Sequence, residues 1–362
     1  MTKKILFCGP IPLPGAKPLG GYETCNRRTI DALRARGAAV DELRYPQPRG
    51  GALSKLRGYW GGFAGLLRQL APQRDALLHV TGLYKQFILP EWLMLRRARK
   101  LGIATVYDIR AGSMFTYYQR YGPLYRWLFR RALQSADAVM IEGMEYASFV
   151  ETVTGKAAFY LPNHIGAAGI PARPPEGSGG AALRLIYVGR VTREKGVETA
   201  LLTARTLAAR GLACEIAIAG PGDAKLMASL RADYADLNVE WLGSLQSSEV
   251  LAQFGRAHFF LFPTRHTGEG HSNALTEAMA MGCVPVASAN GFNRSVIGET
   301  GAVLALDADA GGYADAVLTL WNGASWAAHS AAAMLRTKQL FSTEQAVARL
   351  QARYTEVWKE FT

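Results

Sequence analysis

The chain has 362 residues, 49% of them hydrophobic and 19% charged, and a formal net charge of +12. That length suits two domains of about 150–200 residues each, and the composition excludes a mostly disordered chain. No apolar run approaches the roughly 18 residues that a membrane-spanning helix needs, so none is expected. The four cysteines, Cys8, Cys25, Cys214 and Cys283, are scattered with no CxxC pair, as expected of reduced core thiols in a cytoplasmic protein.

From the start, Met1–Cys8 reads as two lysines and a short apolar strand running into Gly9, Pro10 and Pro12. A secretory signal needs a longer apolar region and a small-residue cleavage site. Predicted strands follow at Val40–Tyr45, Leu77–Thr81, Ala104–Asp108, Ala138–Ile141 and Ala157–Leu161, with helices such as Tyr22–Arg36, Glu91–Lys100 and Leu124–Leu133 between them. Short apolar runs alternating with amphipathic helices indicate a parallel α/β sheet. Between Arg49 and Arg131 fifteen Lys and Arg face only three acids, Asp75, Glu91 and Asp108. Such a field attracts anions, although a solvated helical face would read the same way.

The segment Pro171–Gly180 is rich in Pro and Gly and lacks periodicity, so it reads as a linker between domains 1–170 and 181–342. The α/β pattern then restarts. Strands are expected at Arg184–Val188, Glu215–Ala219, Val239–Leu242, His258–Phe262 and Val284–Ala287, with a helix from Val197 closed by Gly211. The tail, 343–362, is helical, with Ala346, Leu350, Tyr354 and Trp358 at four-residue steps. The fold class is therefore α/β with two Rossmann-like domains, and open parallel sheets take ligands at the carboxyl ends of their strands.

The densest chemistry lies in Gly268–Ser288. Glu269 precedes, and Glu277 lies on, a helix expected to begin at Ser272 or Asn273, with Leu275, Ala278 and Met279 as its buried stripe opposite Glu277 and Gly282 as its stop. A helix N-terminus offers main-chain N–H groups to a diphosphate, and glycines on both sides of Glu269 allow close backbone approach. The residues alone are equally consistent with a capped helix bearing a solvated Glu.

This stretch resembles the Glu-x7-Glu motif of retaining GT-B glycosyltransferases, especially glycosyltransferase family 4. The resemblance implies two Rossmann-like domains facing across a cleft. It implies that Glu269 lies beside the donor sugar, that Glu277 accepts hydrogen bonds from the ribose hydroxyls, and that Gly270, His271, Ser272, Asn273 and Ala274 border the donor. His271 stands where relatives carry an apolar residue, and either touches the donor or caps the loop. Tyr187-Val188-Gly189-Arg190 followed by Lys195-Gly196 is similar to the family's strand-Gly-Arg…Lys-Gly element, implying that Arg190 and Lys195 bind the diphosphate. Gly220-Pro221-Gly222 resembles a second donor turn, and Leu242-Gly243-x-Leu245 stands where the family holds the nucleobase. Gly20-Gly21-x-Glu23 resembles the loop of the first domain beside the donor phosphates. The family often has a His after the fourth strand of that domain. Here the chain reads Asp108-Ile109-Arg110-Ala111-Gly112-Ser113, so Asp108 is the candidate catalytic group, with Arg110 and Ser113 as candidate acceptor contacts. The terminal helix resembles one that crosses back to the first domain.

The resemblance implies a retaining transfer from a nucleotide sugar to a saccharide acceptor, with no metal or other cofactor. The basic first half, where Trp92, Leu93 and Leu95 lie among Arg96, Arg97, Arg99 and Lys100, adds a lipid-linked acceptor at an anionic membrane surface, as in assembly of bacterial surface polysaccharides or lipopolysaccharide. A GT-B-like epimerase or phosphorylase, and a nonenzymatic basic nucleic-acid binder, are the alternatives. The chain carries no recognisable nucleic-acid module, so nucleic acid is not an expected partner.

Overall fold

The structure is a computed structural model that describes residues 4–13, 15–16, 21–48, 50–73, 75–166, 171, 182–321 and 323–361. The chain divides into two compact units, residues 1–163 with 343–362, and residues 164–342. Of the segment Pro171–Gly180, only Pro171 is among the described residues.

The first unit contains β1 (Lys4–Gly9), β2 (Val40–Arg44), β3 (Ala76–Gly82), β4 (Ala104–Ile109), β5 (Ala138–Ile141) and β6 (Phe159–Tyr160). They form one parallel sheet in the order β2-β1-β3-β4-β5-β6. β3 and β4 are buried along their whole length, as strands with both faces covered should be. That is why LLHV and ATVY run apolar without strict alternation.

The terminal helix Thr343–Phe361 completes this core. Its Val347, Leu350, Tyr354 and Val357 are buried in one cluster with Ile5, Phe7, Leu77 and Val106. A further helix, Ala52–Gln69, has no clear period in the sequence because four glycines interrupt it. At Gly62 a Cβ would stand 2.5 Å from Cβ of Pro46, so the glycine lets this helix lie against the Pro46–Pro48 segment.

The second unit contains β7 (Leu183–Val188), β8 (Cys214–Ala219), β9 (Val239–Gly243), β10 (Phe259–Phe262), β11 (Val284–Ser288) and β12 (Ala302–Leu304). Their order is β12-β11-β10-β7-β8-β9, all parallel. This is the Rossmann order, in which the first strand sits between the two halves and the sequence of strands reverses beside it. The third-last helix, Ala310–Leu320, begins at Asp309, whose carboxylate accepts from the Gly312 N–H at 2.9 Å.

All four cysteines are free thiols; Cys8, Cys25 and Cys283 are buried and Cys214 is half-buried. Among the described residues, no helix is long and apolar enough to cross a membrane.

Candidate active site

In the second unit, the loops after β7, β8 and β10 surround the point where the strand order reverses, the expected ligand crevice of such a sheet. After β7, Gly189 donates its N–H to Ala219 O at 2.9 Å. The Gly220 N–H after β8 donates to Gly243 O at 2.7 Å. Gly220 has φ of 139°, and a Cβ there would lie 1.9 Å from Gly189 O. Only a glycine permits these two turns to touch. Leu245, two residues past Gly243, is half-buried.

The charged groups meet next to these turns. Lys195 Nζ stands 2.6 Å from Glu269 Oε2, with the two side chains 15% and 10% exposed. Thr264 Oγ1 donates to the same oxygen at 2.9 Å. Thr264 is itself held, because its carbonyl accepts from Ser288 Oγ at 2.6 Å and from Asn290 Nδ2 at 3.1 Å. A second tie joins the same loops: His266 Nδ1 lies 2.7 Å from Glu194 Oε1, and the Arg265 N–H donates to Glu194 O. Tyr187 donates its hydroxyl to Arg190 O at 2.6 Å. Burial, together with the nearby Glu269 charge, pushes this phenol above its usual range, so it stays a neutral donor. Arg190 keeps its backbone fixed while its side chain is exposed.

The helix after Glu269 is Asn273–Ala280 with Ser272 as its N-cap residue, and the Ser272 side chain makes no capping bond. Gly270, Ser272, Asn273, Ala274 and Glu277 are half-buried. His271 is 5% exposed; its Nε2 lies 2.6 Å from Thr276 Oγ1 and its ring meets Phe341 edge-on at 5.2 Å. It therefore fastens the loop to the helix. No motif in the sequence names Thr264, Glu194 or Asn290, and Tyr187 enters one only as a strand residue ahead of Gly189. Thr264 follows a strand and a proline, the kind of position that faces a crevice, but nothing local reveals that its partner is Glu269.

The first unit holds a separate buried charge network. Arg110 Nε donates to Asp108 Oδ2 at 2.6 Å, and His79 Nε2 lies 3.2 Å from the same oxygen. Tyr354 Oη lies 2.7 Å from His79 Nδ1. Arg110 Nη1 also reaches Asn163 Oδ1 at 3.1 Å and Cys25 Sγ. Burial would raise the Asp108 pKa, but the guanidinium beside it and the His79 bond hold it below the usual range. Burial pushes His79 down, so its ring is neutral. An ionised Asp108 only accepts, which places the His79 proton on Nε2 and makes Tyr354 the donor to Nδ1. Asp108 and His79 are fully buried and Arg110 is 2% exposed. Asp108 Oδ1 and Arg110 Nη2 are buried with no hydrogen-bond partner among the described residues. Ser113 is half-buried, 2.5 Å from Tyr84 Oη. Gly21 opens the helix Gly21–Ala35, on which Glu23 is buried; Gly20 lies outside the described residues.

Among the described residues, no three His, Cys, Asp or Glu side chains gather as metal ligands. The Asp-x-Asp triplet of this chain, Asp307–Asp309, includes the helix-capping Asp309.

Residues 182–323 match the family described as Glycosyl transferases group 1. A putative colanic acid biosynthesis glycosyltransferase, WcaL of Salmonella typhimurium, is 36% identical over 115 residues, 30% of this chain and 28% of that protein. The amylovoran biosynthesis glycosyltransferase AmsK of Erwinia amylovora is 32% identical over 151 residues, 39% of this chain and 36% of its own. These matches thus span about a third of the length of the curated relatives. Among solved structures, a sucrose-phosphate synthase from Thermosynechococcus elongatus superposes with a TM-score of 0.73 at 17% identity, covering 99% of this chain and all of that one. Anabaena HepE, solved in complex with UDP, gives 0.68 at 13% identity, covering 98% and 100%. At these identities the likeness is one of fold. Residues 182–323 are thus similar to the group 1 glycosyltransferases, and the whole chain has the GT-B fold of two Rossmann-like units.

Proposed function

We propose that this chain moves a sugar, with retention, from a nucleoside-diphosphate sugar to a saccharide acceptor. The observation that carries the reading is the Lys195–Glu269 pair, held by Thr264 in the loops after β7 and β10. HepE was solved with UDP, which supports a nucleotide donor for this fold, and the colanic acid and amylovoran relatives support assembly of a polysaccharide.

In this mechanism Arg190 and Lys195 hold the diphosphate and stabilise the charge that grows on it as the sugar C1–O bond breaks. Glu269 holds the sugar hydroxyls, and Glu277 accepts from the ribose diol, where two donors meet two carboxylate oxygens. The Gly189 and Gly220 turns and the main-chain N–H groups of Gly270–Ala274 border the phosphates, with His271 fixing that loop. Leu245 borders the nucleobase. The acceptor oxygen bonds to C1 on the face the diphosphate leaves, and its proton goes to the departing phosphate oxygen. With cations and main-chain donors on the diphosphate, the step needs no resident metal. Ser113 contacts the acceptor, while Asp108 and Arg110 act as positioning residues from inside the first unit. The acceptor is lipid-linked, at an anionic membrane surface.

The test is a thermal-shift panel of UDP, GDP, ADP and CMP with their sugar conjugates. One nucleotide should raise the melting temperature of the wild type and not of Glu277→Ala. With that donor, Lys195→Ala and Glu269→Gln should cut transfer about 10²–10³-fold with unchanged circular dichroism. No shift with any nucleotide, or wild-type turnover in both variants, would overturn the reading.

A further inference from the structure

The first unit carries an aromatic and cationic surface that no step of the transfer uses. Trp92, on the helix Ile88–Lys100, and Trp127, on the helix Pro123–Ser135, meet edge to face with ring centroids 5.6 Å apart. The Arg96 guanidinium lies over the Trp92 ring at 4.9 Å, and that of Arg131 over Trp127 at 5.6 Å. With Arg99 and Lys100 these residues line an open groove of about 490 Å³.

The two helices carry seven Lys and Arg and one acid, Glu91, which is fully buried. Arg99, which lines the groove, lies 3.8 Å from Asp137. Large apolar side chains stand out of the same layer. Leu124 is 75% exposed and Trp127 47%, and Leu53, Leu56 and Trp60 are exposed on the helix Ala52–Gln69. That helix packs beside Ile88–Lys100, which packs beside Pro123–Ser135, and it holds Lys55, Arg57 and Arg68 with no acid.

We infer that these three helices form a docking face for an anionic lipid bilayer. The inference rests on the membrane part of the reading above and gives it a location. A soluble phosphate would use the arginines and leave Leu53, Leu56 and Leu124 in water, and so would a nucleic acid backbone. A bilayer interface satisfies both kinds of group, taking the apolar tips among the upper acyl chains and the guanidinium groups at headgroup level. The pairing of each Trp with an Arg suits that depth, since an indole and a cation are both favoured there.

The experiment is flotation of the full chain with vesicles of phosphatidylcholine alone and of phosphatidylcholine with about 30% phosphatidylglycerol as the anionic lipid. The expected result is binding to the anionic vesicles only, weakened by salt. Arg96→Gln/Arg131→Gln and Leu124→Ser/Trp127→Ser should each reduce that binding about 10-fold or more, with the UDP or GDP thermal shift retained. All four residues lie on the helix exteriors, so both variants are expected to fold, and their melting curves check it. Wild type that does not float with anionic vesicles overturns the inference. So does equal binding to neutral vesicles, or loss of binding in the arginine variant alone, which would mark a simple anion site. Failure to float alongside an intact nucleotide shift removes this surface and leaves the transferase reading standing. The opposite pair of results removes the transferase reading and leaves the surface.

Discussion

Glu91 is fully buried and accepts hydrogen bonds from the Tyr45 and Tyr107 hydroxyls at 3.0 and 2.6 Å and from the Leu83 N–H at 2.8 Å. Burial raises its pKa to about 7 against the pull of those donors, to which the Tyr84 N–H adds. Cys8 is buried beside it. Tyr84 and Lys85, directly after β3, both have positive φ, 50° and 52°, and Tyr84 reaches Ser113. Glu91 therefore holds a strained turn in place. The folded state binds its proton more tightly than the unfolded chain does, so this residue's contribution to stability is full below about pH 4.5 and falls as the pH rises through about 7. The whole swing is on the order of 3 kcal/mol. Glu91→Gln is expected to melt above the wild type at pH 8 and not above it at pH 5. Parallel pH profiles for the two proteins would refute this. The motifs singled out Glu269 and Lys195 as candidates, but nothing in the sequence singled out Glu91. A Glu opening a predicted helix reads as a solvated side chain, and only the packing of β1, β3 and β4 around it shows otherwise.

At the scale of elements, the crevice of the second unit depends on two turns in contact. Gly220 is the tightest position, with its positive φ and 1.9 Å virtual contact with Gly189 O. Gly189 has a comparable φ of 153°, but a Cβ there would meet only Tyr187, at 3.7 Å. Gly220→Ala is therefore expected to cost more than Gly189→Ala. Backbone conformation alone accounts for about 1–3 kcal/mol in either variant, and Gly220→Ala must also force the β7 and β8 turns apart. Melting curves and the nucleotide shift of the two variants would check the order. Most strands of both sheets were legible because fully buried parallel strands are short apolar runs set off by turns. β6 is two residues long rather than the five of Ala157–Leu161, since only Phe159 and Tyr160 pair with β5, at Met140 and Ile141. The helix Ala52–Gln69 escaped because its glycines, needed against Pro46 and Pro48, break the pattern that marks a helix.

At the scale of the whole chain, the terminal helix belongs to the core of the first unit although it follows the second in sequence. Tyr354 reaches His79 across 275 residues of chain, and the His79 ring stacks on Phe7 at 4.4 Å. Val347, Leu350, Tyr354 and Val357 are all buried there. At about 1.5–3 kcal/mol for each large side chain, their burial is comparable with the 5–15 kcal/mol that stabilises a typical domain. Deleting residues 343–362 is thus expected to unfold the first unit and to leave the second able to bind its nucleotide; two separate melting transitions reduced to one would show it. By itself the sequence determined most of the strand and helix order and the Rossmann-like class, and it brought Glu269, Glu277, Arg190 and Lys195 forward as candidates, because hydrophobic period and motif spacing are local properties of a chain. Only the tertiary structure decided which charges are neutralised and by what. It placed Thr264 on Glu269, sealed Asp108 with Arg110 and His79 inside the first unit, and buried Glu91 among tyrosines. Desolvation and hydrogen bonding depend on neighbours drawn from distant segments, and no local pattern specifies them.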